Sequence, residues 1–104
     1  MPRRPSLTSS TWVVPLDRLI PGSWAEVVRV QGPARWRRRL YAMGFRPGTR
    51  VYVEHQAPLG DPIQYWVQDT WLALRRQTAR HIWVRPVQPG GEGALKDPPS
   101  SQEA

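Results

Sequence analysis

The side chains best suited to metal or proton chemistry are two histidines, His55 and His81, with the carboxylates of Glu54 and Asp61 near the first. A bound metal needs three or four convergent ligands. Glu54 and His55 are adjacent in a stretch of strand character, and adjacent strand residues point to opposite faces, so the two cannot grip one ion together. The chain has no cysteine, which excludes thiolate sites, disulfides and thiol nucleophiles. It has no nucleophile-elbow serine with histidine and aspartate partners, no glycine-rich loop to cradle phosphate and no close pair of carboxylates. The expectation is therefore no catalytic residue, no metal site and no cofactor.

One loop could be mistaken for an anion cradle, Leu59-Gly60-Asp61 between Pro58 and Pro62. The two prolines lack the N–H donors such a cradle uses. The segment reads instead as a rigid turn, with Gly60 at positive φ and Asp61 extended ahead of Pro62. Rigid exposed loops lose little entropy on binding, so Leu59, Gly60 and Asp61 are kept as candidate partner contacts.

Arginine and tryptophan are the abundant interactive residues. Of fifteen basic residues fourteen are arginine, and residues 11–87 hold twelve arginines against Asp17, Glu26, Glu54, Asp61 and Asp69, which places the whole net charge of +7 there. Arg35, Arg38 and Arg39 fall on one face of a helix whose other face carries Trp36, Leu40 and Met43 at i, i+4 and i+7. That basic face is either a solvated exterior or a contact for an acidic partner or nucleic acid. Six tryptophans give nucleic acid some support, because aromatics among arginines stack on bases, but they are not interleaved with basic residues on one sheet. Trp36 is expected in the core. Trp66 alternates with Ile63, Tyr65 and Val67, Trp71 with Leu72 and Leu74, and Trp83 sits between Ile82 and Val84, so all three are expected to face outward as candidate partner-binding residues.

The elements that position these residues follow from periodicity and punctuation. A turn or single helical turn occupies 15–22, a strand 24–30, and Gly32-Pro33 opens a helix over 34–43 that Gly44 ends in left-handed conformation. Pro47-Gly48 turns the chain into a strand at 50–56. Strands at 63–68 and 70–74 form a hairpin, a short helical turn covers 77–81, and a last strand runs over 82–86. The hairpin loop is either the two residues Asp69-Thr70 or the four from Gln68 to Trp71. Both place Val67 opposite Leu72 and Trp66 opposite Ala73, with Trp71 diagonal to Trp66. The architecture expected is mainly β, a small closed or partly closed barrel of five to six strands with one short α-helix, because closure removes exposed edges from a domain this small.

Residues 1–10 and 88–104 lack apolar periodicity and read as disordered tails around one domain at 11–87. No stretch approaches the ~20 apolar residues of a membrane span, and no apolar segment of a signal peptide opens the chain, so a cytoplasmic location without membrane insertion is expected.

Arg39-Leu40, Met43-Gly44, Arg46-Pro47-Gly48-Thr49, 57–62 and Leu72-Ala73-Leu74-Arg75-Arg76, with Ala79, Ile82 and Val84 after them, occur in an order and spacing that resembles the FeoA family, small cytosolic proteins that accompany the ferrous iron transporter FeoB. In that family's pattern a glycine commonly stands where Asp69 stands here. The resemblance implies an SH3-like barrel and a non-catalytic accessory role, docking on the cytosolic part of a FeoB-like transporter and supporting ferrous iron uptake. It does not make this chain an iron binder. The alternative is a nucleic-acid-binding or metal-regulated transcriptional module, since related barrels occur at the C-termini of metal-dependent repressors. Self-association through the outward tryptophans is a further expectation, and nucleic acid is not expected as a partner.

Overall fold

The structure is a computed structural model and describes residues 12–54, 60–87 and 97–99. Six antiparallel strands form one sheet: β1 (Val14–Pro15), β2 (Trp24–Val30), β3 (Arg50–Val53), β4 (Ile63–Val67), β5 (Thr70–Leu74) and β6 (Ile82–Pro86). Their order is β1-β6-β2-β3-β4-β5. Among the described residues the sheet is open, with β1 and β5 as its edges. Helix α1 (Ala34–Ala42) joins β2 to β3, and the single turn α2 (Arg76–Ala79) joins β5 to β6.

Alternation decides the inner face. Ala25, Val27, Val51, Val53, Tyr65, Val67, Leu74, Ile82 and Val84 are all buried and point into one core. Beyond the strands, Leu16 comes from a 3-10 turn at Leu16–Arg18, Leu40 from α1, Phe45 from the connection after it and Ala79 from α2. Phe45 meets Tyr65 edge-on, with ring centroids 6.4 Å apart. Between Val27 and Arg29 the β2–β6 register slips by one residue, which leaves Val28 unpaired as a bulge and adds local twist.

Gly44 ends α1 as its position requires. At φ 112° it accepts the left-handed turn, its N–H bonds the Tyr41 carbonyl at 3.0 Å, and the Phe45 N–H returns to Leu40 at 3.0 Å. A Cβ on Gly44 would lie 2.9 Å from Gln68 Oε1, so the helix end also abuts the β4–β5 turn.

Two expectations need correction. The hairpin turn is Gln68-Asp69, not Asp69-Thr70 or a four-residue loop. Both residues carry positive φ, 49° and 61°, and Val67 pairs with Thr70, Trp66 with Trp71, Tyr65 with Leu72 and Gln64 with Ala73. The physical reason is steric: two consecutive left-handed residues are needed, and an unbranched Gln with Asp accepts that far better than Asp with β-branched Thr70. The second concerns Trp36, which is half-buried and is absent from the set of side chains packed on the core; Leu40 is buried and Met43 packs against the core edge. Phe45, just after α1, is fully buried in the core.

Candidate partner-binding surface

On the outer face of the sheet, strand register lines up four aromatic residues. Trp24 on β2 pairs with Tyr52 on β3, Tyr52 with Trp66 on β4, and Trp66 with Trp71 on β5. Ring centroids are 5.3 Å apart for Trp24–Tyr52, 5.3 Å for Trp66–Trp71 and 6.3 Å for Tyr52–Trp71, all tilted or edge-on, the arrangement that ring quadrupoles favour. The row is dense enough to leave Tyr52 only 5% exposed although it faces away from the core. Its hydroxyl is raised above the usual tyrosine range, first by burial, then by the carboxylates of Asp97 and Glu54. At the β5 end the Trp71 indole donates a 3.0 Å hydrogen bond to the Pro99 carbonyl. At the β2 end the Trp24 indole N–H is buried with no hydrogen-bond partner among the described residues.

The candidate residues therefore separate. Trp66 and Trp71 stand together as expected and as direct cross-strand partners. Trp83 faces outward too, but opposite Arg29, whose guanidinium lies 5.2 Å from the ring centroid, while its indole donates to Gln31 Oε1 at 3.0 Å. Arg29 is five residues along β2 from Trp24, roughly 16 Å at ~3.3 Å per strand residue, so Trp83 lies well away from the row. Sequence reasoning missed Trp24 and Tyr52. The signal was present in their parity, since Trp24 alternates with Ala25 and Val27, and Tyr52 sits between Val51 and Val53.

Arg35, Arg38 and Arg39 are exposed on α1. The Arg39 guanidinium covers the Trp36 ring at 5.4 Å, and with Arg35 these two line a shallow surface concavity. Arg37 and Arg46 are held instead by backbone carbonyls, of Gly32 at 3.0 Å and Tyr41 at 3.1 Å. Among the described residues no ring contact joins Trp36 to the outer row, so the α1 arginines and the outer aromatic row occupy different elements. A single-strand binding platform needs them interleaved.

The 60–62 loop is fastened from inside. Arg76 donates from Nε to the Gly60 carbonyl at 2.8 Å and from Nη1 to the Asp17 carbonyl at 3.0 Å, and its backbone N–H donates to Asp61 Oδ1 at 3.1 Å. Gly60 has φ 69° as expected and is buried, and Asp61 serves the start of α2. Leu59 and His55 lie outside the described residues. Among the described residues no group of three histidine or carboxylate side chains converges on a metal position, and no helix is long and apolar enough to cross a membrane.

Comparison with known proteins bears on this arrangement. A family model for the FeoA domain matches residues 14–86, which spans all six strands. A curated relative, the Fe(2+) transport protein A/Fe(2+) transporter FeoB fusion protein of Porphyromonas gingivalis, is 41% identical over 69 residues. The match covers 66% of this chain and only 8% of that much longer protein. Among solved structures, a FeoA-like protein from Clostridium acetobutylicum superposes with a TM-score of 0.69 at 29% identity, over 79% of this chain and 95% of that one. A zinc complex of Stenotrophomonas maltophilia FeoA, described as a procaryotic SH3 domain protein, gives 0.59 at 33% identity over 66% and 86%. A manganese-dependent transcriptional repressor shares the fold alone, at 18% identity with a TM-score of 0.64 over 72% of this chain and 42% of its own. With the family model spanning the entire sheet and both connecting helices, the chain belongs to the FeoA family.

Proposed function

We propose that this chain is a non-catalytic accessory protein of ferrous iron transport that docks on the cytosolic part of a FeoB-like transporter. The observation that carries the reading is the Porphyromonas gingivalis fusion, in which a region similar to this chain is part of one polypeptide with a Fe(2+) transporter. A domain of this kind that is not fused to its transporter would reach the same neighbourhood by binding. The surface best suited to that binding is the outer row at Trp66 and Trp71, because clustered aromatic side chains with polar indole edges supply large contact area at low entropic cost. Arg35, Arg38 and Arg39 on α1 offer a second, electrostatic contact suited to steering an acidic partner.

The test is a pull-down and calorimetric titration of the purified chain against the cytosolic domain of its host's FeoB-like transporter. Saturable binding is expected, weakened at least ~10-fold by Trp66→Ser with Trp71→Ser in a variant that keeps its circular dichroism. No binding by the unaltered chain would contradict docking. Unchanged binding by the double variant would remove the aromatic row from the interface.

A further inference from the structure

Residues 97–99 touch the outer row at one end, and β6 ends beside the other. The Val87 N–H donates to the Trp24 carbonyl at 2.9 Å as β6 ends beside β2, and Pro99 accepts the Trp71 indole N–H at 3.0 Å on β5. Trp24 and Trp71 are the two ends of the aromatic row, three strand spacings or about 14 Å apart, a span that the residues from 87 to 99 easily cover. The contacting stretch is Asp97-Pro98-Pro99. Within it Pro98 is half-buried while both neighbours are exposed.

We infer that the row Trp24–Tyr52–Trp66–Trp71 is a binding site for an extended proline-containing peptide, and that its resident occupant is this chain's own segment Asp97-Pro98-Pro99. The chemistry is complementary on each count. Consecutive prolines are pre-extended, so they lose little entropy on binding, and their flat apolar rings suit tilted aromatic side chains. A proline carbonyl is a strong acceptor with no N–H of its own to satisfy, and the indole N–H of Trp71 supplies the donor. After burial itself, the Asp97 carboxylate adds to the rise in the Tyr52 hydroxyl's pKa. The segment is thus a cover in cis. Any partner that uses Trp66 and Trp71 has to displace it, and the effective concentration of a tethered segment makes that competition substantial.

Occupancy of the row by Asp97-Pro98-Pro99 involves this chain alone and does not depend on transporter docking. The experiment compares full-length protein with Pro98→Gly/Pro99→Gly, which lies outside the packed core, by following the indole Nε1–H signals of the six tryptophans in 15N-labelled samples. In the unaltered chain the Trp71 indole proton, assigned by its loss in Trp71→Phe, exchanges with solvent at least ~5-fold more slowly than in the double variant. Adding a synthetic peptide of residues 94–104 to the double variant shifts the Trp71 and Trp66 signals saturably, and the same peptide with both prolines replaced by glycine shifts them far less. The unaltered chain responds to the peptide only at much higher concentration. Identical Trp71 exchange in the two proteins, or equal shifts with the two peptides, would overturn the inference.

Discussion

Gln68 and Asp69 show how much of this fold is decided by single backbone positions. Both sit in the left-handed region without being glycine, at a cost of roughly 1 kcal/mol or more each. Gln68→Asn with Asp69→Gly, the pair that such two-residue turns prefer, is expected to raise the thermal midpoint by several degrees and leave the strand register unchanged; a lower midpoint would contradict the turn assignment. The sequence showed that a turn lies here but not its register, because alternation fixes which face a residue occupies and leaves open which residue lies opposite. Tyr65 is a second decisive position, fully buried with its hydroxyl donating to the Leu16 carbonyl at 3.4 Å. Burial first, then Asp17, pushes its pKa far above the usual value of 10.0, with Arg76 opposing. The folded-state value is raised, so the stabilisation is complete below pH 10 and is lost as the unfolded chain ionises above it. Melting midpoints should therefore fall between pH 10 and 12, and Tyr65→Phe should flatten that fall; an unaltered slope would mean that Tyr65 is not the titrating group.

At the scale of elements, Arg76 joins three parts that share no strand pairing: the 3-10 turn at Leu16–Arg18, the 60–62 loop and α2. Charge-assisted hydrogen bonds to carbonyls contribute more than neutral ones. Arg76→Met keeps the aliphatic stem but leaves two carbonyls unpaired, and should lower the unfolding free energy by about 2 kcal/mol while speeding amide exchange at residues 16–18 and 60–62. Wild-type stability in that variant would show the contacts to be incidental. The Leu72-Ala73-Leu74-Arg75-Arg76 stretch was visible in the sequence as part of a family pattern, yet nothing local reveals what Arg76 reaches, since its partners lie 16 and 59 positions away. The end of α1 was legible because Gly44 is locally diagnostic. Phe45 was not, because it stands between two periodicities and belongs to neither.

Over the whole molecule the sheet separates two apolar surfaces, an inner core and an outer aromatic row, and the sequence carried both in the same alternation. Leu74 tests the first. It is 5% exposed on an edge strand and pairs with Ile63, so Leu74→Ala should cost ~2 to 5 kcal/mol, a large share of the stability of so small a domain, and an unchanged melting temperature would refute the inner-face assignment. The outer row was half-legible: Trp66 and Trp71 were found as outward residues, while Trp24 and Tyr52 join them only through the pairing of β2 with β3 and β3 with β4. The contact between Trp71 and Pro99 has no periodic signature at all, since a proline pair in a low-complexity segment looks the same whether or not it docks. The most direct measurement of the central claim is the initial rate of ferrous iron uptake in a host strain that lacks this chain and carries no second FeoA-like gene. The account predicts a several-fold lower rate, restored by the unaltered chain and poorly by Trp66→Ser with Trp71→Ser. An uptake rate equal to that of the parent strain would contradict it.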